Sequence, residues 1–152
     1  MIVWNRGAEL VVADFSRLPE SERNMVTLVF LDPEYPKRLD NWEEFARFMT
    51  ALIRAGFDSN KKTTPCTWND MSVLDRIAKT SYGCGSGMRS GKKSSAPVQY
   101  LLPGGQELSF TIHCAALDNN PGLQWCFFVP TPGSGTEERL ADLLKQDAEG
   151  RP

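Results

Sequence analysis

Residues 107–114 read Glu107-Leu108-Ser109-Phe110-Thr111-Ile112-His113-Cys114, "ELSFTIHC", a strict alternation of polar and apolar side chains. Successive side chains of a strand point to opposite faces. The run therefore predicts a half-buried antiparallel strand with Leu108, Phe110, Ile112 and Cys114 turned inward. Upstream, Val98 to Leu102 reads as another strand, joined to the first by the turn Pro103-Gly104-Gly105. Downstream, Asp118-Asn119-Asn120-Pro121-Gly122 is a second turn signal, and Leu123 to Val129 is almost wholly apolar, as in a strand covered on both sides. Pro130-Thr131-Pro132-Gly133 ends it. The second half of the chain is thus a three-stranded meander.

The first half has a different period. Trp42, Phe45, Ala46, Met49, Leu52 and Ile53 fall on one face of a helix spanning Trp42 to Ala55. Asp40 or Asn41 is placed to cap it, and Gly56 to stop it. A shorter helix is expected from a Ser21 cap through Phe30, ending near Leu31-Asp32-Pro33, because the residue before a proline avoids the α region. Ala8, Val11 and Val12 suggest a helical turn. Thr67 with Asp70, and Ser134 with Glu137, resemble capping boxes before two further helices. The second of these carries Leu140, Leu143 and Leu144. Ser81 to Ser95 is a Gly-, Ser- and Lys-rich stretch, read as a mobile loop. The opening Ile2-Val3-Trp4-Asn5 reads as a strand that completes the sheet, with Trp4 turned to the core. Helices held to one face of an antiparallel sheet make an α+β fold. Residues 1–146 are expected to form one domain, with 147–152 as a disordered tail.

The chain has 152 residues, 41% hydrophobic and 24% charged, with a net charge of −2. A chain of this length buries enough surface to fold without a metal or disulfide. The slightly acidic balance argues against direct nucleic-acid contact. No apolar run approaches the ~18 residues of a membrane span, and no secretory signal is present, so a cytoplasmic location is expected. Cys66, Cys84, Cys114 and Cys126 lack CxxC spacing, so neither a metal nor another cofactor is expected.

Four stretches carry a family resemblance: "WNRGAEL" (4–10), "ADFSRLPESERNMVTLVFLDP" (13–33), "WEEFARFMTALIRA" (42–55) and "CFFVPTPGSGTEERLADLL" (126–144). In this order they resemble the MmyB-like transcription-regulator ligand-binding domain. The resemblance implies a PAS-like antiparallel β-sheet with helices packed on one face, and an apolar cavity for a fatty-acid-like small molecule. It also implies a usual setting behind a helix-turn-helix domain. With Met1 directly before "IVWN", the expectation is a ligand-binding fold without its DNA-reading half. The family commonly has a Trp and a His near its third or fourth helix. "TSYGCGSGMRSGKKSS" (80–95) has neither, so no role for that pair transfers.

If the interior holds a ligand, Trp42, Phe45 and Met49 of the long helix are expected to face Phe110, Ile112, Trp125 or Phe127, with Tyr100 also lining the site. Asn5 and Tyr100 are candidate polar anchors. A second copy of the chain, in a homodimer, is the other partner the sequence allows. A competing reading is a stand-alone cavity enzyme, of isomerase, cyclase or lyase type, acting on an apolar metabolite. Its acid–base groups would be His113, Glu107 and Tyr100, although alternation places His113 and Glu107 on the polar face of their strand. Cys114 and Cys126 lie opposite each other if the hairpin centres on Asn120. Two readings stand for them: a disulfide or redox pair, or two inert buried thiols. A register shift of one residue would separate them.

Overall fold

The computed structural model describes residues 3–59, 95–117 and 120–150. The expected Thr67 helix and nearly all of the Gly/Ser/Lys-rich stretch lie outside these residues. The elements are α1 (Arg6–Val11), α2 (Met25–Leu31), α3 (Trp42–Ser59), β1 (Ser95–Leu101), β2 (Glu107–Leu117), β3 (Asn120–Pro130) and α4 (Thr136–Glu149), with short 3-10 turns at 15–17, 20–22 and 35–38.

The strands form an antiparallel sheet in the order β1-β2-β3. Val98 lies opposite Phe110 and Tyr100 opposite Leu108, so alternation in β1 and β2 selects the same face. That face is buried: Val98, Tyr100 and Leu108 have no exposed surface, and Ile112 and Phe110 almost none. The other face carries Gln99, Ser109, Thr111 and His113. Buried side chains from α1, α2 and α3 and partly buried Leu140 and Leu143 of α4 belong to the same core cluster. The architecture is α+β, with helices covering the inner face of the sheet.

Among the described residues the opening strand is not formed. Val3 to Asn5 has no strand structure, and Val3 is 75% exposed. Asn5 is instead the N-cap of α1, its Oδ1 accepting from the Ala8 N–H at 2.8 Å. An asparagine oxygen satisfies an otherwise unpaired donor of the first turn, and so starts a helix where composition suggests a strand. Trp4 does turn inward, its ring 5.4 Å from that of Phe15. The edge of β1 is met elsewhere. Leu39 bridges Tyr100, the Asp40 N–H donates to the Gln99 carbonyl, and the Asn41 amide both accepts from Gln99 N and donates to the Pro97 carbonyl. The segment leading into α3 thus covers a sheet edge that would otherwise expose unpaired backbone groups.

Other ends also differ from expectation. Asn24, not Ser21, caps α2, accepting from the Thr27 N–H at 2.7 Å, while 20–22 forms a 3-10 turn. The helix α3 runs through Gly56 to Ser59. Gly135, with a positive φ of 68°, precedes α4, and the Ser134 hydroxyl accepts from Thr136 N. The Ser134–Glu137 box is therefore not the cap. The last helix continues into the expected tail because Asp147 pairs with Arg6, tying α4 to α1.

Candidate functional site

The inner face of the sheet holds an aromatic cluster. The Tyr100 ring lies 6.3 Å from both Phe110 and Phe128, and Phe110 and Phe128 meet edge-on at 6.1 Å. Tyr35 reaches this cluster from the turn before α3. Its hydroxyl lies 2.8 Å from that of Tyr100. Both side chains are buried. Burial pushes both phenols well above their ordinary ionisation range, so the pair is a neutral, hydrogen-bonded dyad in an apolar setting. Such a dyad can donate to, or accept from, one polar group of a ligand if the two hydroxyls part.

On the helical side, Phe45 and Met49 of α3 are buried in the same core. Trp42 is half-buried, and its indole N–H donates to the Val29 carbonyl at 3.2 Å, fixing α3 to α2. Phe45, Tyr100, Phe110 and Ile112 leave almost no exposed surface, so the layer they form is closely packed. A hollow of ≈ 450 Å³ lies elsewhere, lined by Pro130, Thr131, Pro132, Gly133 and Thr136 among others, at the start of α4.

Trp125 and Phe127 do not face α3. The register sets Trp125 opposite Ala115 and Phe127 opposite His113, on the outer face. They are 51% and 49% exposed, with their ring centroids 5.8 Å apart. The inward aromatic residue of that segment is Phe128, which sequence reasoning missed. "WCFFV" is apolar at every position, so it carries no phase. Only its pairing with the alternating β2 supplies one. Tyr35 was also missed, because it stands between Pro33 and Pro36 outside any periodic segment.

The three groups of the enzymatic reading do not converge. Tyr100 is buried on the inner face, whereas His113 and Glu107 are exposed on the outer face of β2. Asn5 is occupied as the cap of α1. Cys114 and Cys126 do lie directly opposite, on the inner side of the hairpin, with sulfurs 2.9 Å apart.

Residues 1–81 match the family model of the MmyB-like transcription regulator ligand binding domain, more than half of the chain. The chain belongs to that family, and its class is that of a transcription-regulator ligand-binding domain. No curated protein and no solved structure matches the chain. No helix among the described residues is long and apolar enough to cross a membrane.

The matched motifs prove to be structural. In "WN", Trp4 packs on Phe15 and Asn5 caps α1. In "DFS", the Asp14 carboxylate accepts from the Ser16 hydroxyl, which holds it below its ordinary range, and Phe15 is fully buried. In "RN", Asn24 caps α2, and in "LDP", Asp32 accepts from the Glu34 N–H. These residues build the helical layer over the sheet.

Proposed function

We propose that this domain binds an apolar, acyl-type small molecule between α3 and the inner face of the sheet, as a PAS-like sensor. The observation that carries the reading is the Tyr35–Tyr100 hydroxyl dyad at 2.8 Å inside an aromatic shell. An apolar wall with one or two convergent polar groups is the usual make-up of a small-molecule site. Phe45, Met49, Phe110 and Ile112 supply the wall, Trp42 its rim, and the dyad the anchor for a carboxyl group. Met49 adapts well to ligands of different shape. Family membership supports the same reading.

Because the layer is packed, a ligand enters by parting α3 from the sheet. Burial of each CH₂ contributes about 0.8 kcal/mol toward that opening, so long chains are favoured over short ones. A ligand that prefers the parted state shifts the population of the domain, which is what a sensor requires. The outward-facing Trp125 and Phe127 are not part of this wall.

The test is a thermal melt of the purified chain with dodecanoic acid, hexanoic acid and dodecanol. Dodecanoic acid is expected to raise the melting temperature in a concentration-dependent way, hexanoic acid to do little, and dodecanol to fall between them. No shift with any long-chain acid or alcohol would sink the proposal. In the Tyr35→Phe, Tyr100→Phe double variant, the advantage of acid over alcohol should vanish while some binding persists.

A further inference from the structure

We propose that Cys114 and Cys126 form a peroxide-oxidisable dithiol, converted by hydroperoxides into an intramolecular disulfide that staples β2 to β3. Three features support this. The two residues are direct partners in the antiparallel register, Cys114 opposite Cys126. Directly opposed residues have Cα atoms roughly 4.5–5.5 Å apart, inside the 4.4–6.8 Å span that a disulfide bridges. The sulfurs already stand 2.9 Å apart, so closing to a bond of about 2.05 Å moves them less than an ångström and leaves the strands in place. Two inert core thiols need no such approach.

The thiols are not equivalent. Cys114 is buried and Cys126 exposed. A hydrogen bond between them favours one proton shared by two sulfurs. Cys114 keeps that proton, its thiol pushed up by its neighbour and by burial, while the same contact lowers the Cys126 thiol. The accessible sulfur is thus the better nucleophile, and the buried one is the resolving partner.

The chemistry balances. The Cys126 thiolate attacks the outer oxygen of the hydroperoxide, the O–O bond breaks, and the other oxygen leaves as water or an alcohol after taking a proton. Cys126 is then a sulfenic acid, oxidised by two electrons. The Cys114 sulfur attacks it, the S–S bond forms, the S–O bond breaks, and hydroxide leaves as water with the Cys114 proton. Overall, two thiols lose two electrons and two protons, and the hydroperoxide is reduced. Intracellular disulfides of this kind are typically transient and redox-sensing.

The test uses the full chain carrying Cys66→Ser and Cys84→Ser, so that only this pair can react. It is treated with hydrogen peroxide in native buffer, the remaining thiols are alkylated, and the chain is cut at Asp118, which separates the two cysteines. A linked peptide, lighter by two hydrogens than its reduced parts, is expected. It should form roughly tenfold or more faster than in the same chain unfolded in urea, because the fold holds the sulfurs together. Adding Cys114→Ser should stop at a sulfenic acid on Cys126, trapped by dimedone, and Cys126→Ser should react more slowly with peroxide. Equal rates folded and unfolded, or peroxide consumption without the linked peptide, would overturn the proposal. Protection from urea unfolding of the reduced chain checks that each variant is folded.

Discussion

Removing one hydroxyl of the Tyr35–Tyr100 dyad should cost more than removing both. The oxygens are 2.8 Å apart, and the side chains are 1% and 0% exposed. Tyr35→Phe leaves the Tyr100 hydroxyl in an apolar shell without this partner, and Tyr100→Phe does the converse. Orphaning a buried polar group costs about 1–3 kcal/mol. Taking the midpoint, each single variant loses about 2 kcal/mol, and simple addition puts the double at about 4 kcal/mol. The double variant, however, removes both polar groups together, keeps the ring volumes and retains the edge contact of residue 100 with Phe110. It should lie within about 1 kcal/mol of the wild type, a coupling of roughly 3 kcal/mol. For a domain of this size, 1 kcal/mol moves the melting temperature by roughly 2–4 °C, so each single should melt about 4–8 °C lower and the double no more than about 4 °C lower. Urea midpoints and thermal melts of the four proteins complete the cycle. Additive losses, or two neutral singles, would refute the claim that the hydroxyls satisfy each other.

The same dyad predicts an alkaline limit. Burial raises both phenols above the ordinary 10.0. The unfolded chain then loses these protons first, so their contribution is intact below about pH 10 and is lost as pH rises toward the folded-state values. A series of melts across that range should show the wild type declining more steeply than the double variant, and parallel curves would contradict it. Phe110→Ala should cost about 3–5 kcal/mol, as expected for a buried phenylalanine, whereas Phe127→Ala on the outer face should cost about 1 kcal/mol or less. Similar urea midpoints for these two would show that the register of β3 is wrong. Asn24→Ala should lose about 1 kcal/mol through the α2 cap and Ser21→Ala much less. The reverse order in chemical denaturation would restore Ser21 as the cap.

The motif residues explain why the family is readable while its ligand is not. Asn5 and Asn24 each accept a backbone hydrogen bond that begins a helix, Asp32 accepts one from Glu34 in the turn after α2, and Asp14 accepts from the nearby Ser16 hydroxyl. Caps are short-range and chemically specific, so they leave a strong mark in sequence. The interior needs only apolar volume, which many residues supply.

Local periodicity was enough to identify the meander, the inner face of β1 and β2, the long α3 and the α+β class. An alternating strand or an amphipathic helix carries its phase in its own side chains. The sequence set Cys114 opposite Cys126 only if the hairpin centred on Asn120, and the strand pairing has that register at the cysteines, with a shift between Ala116 and Leu117. Three things came only with packing. The run Trp125 to Val129 has no alternation of its own, and pairing with β2 turned Phe128 inward and left Trp125 and Phe127 outside. The segment Leu39 to Asn41 covered the edge of β1, whereas the opening residues had been expected to complete the sheet, a contact between parts distant in sequence. Tyr35, in a proline-flanked turn, met Tyr100 in the core for the same reason. Faces are local properties of a strand or helix, but neighbours are not. A run with no phase, or a turn with no period, takes its orientation from whatever the rest of the chain packs against it.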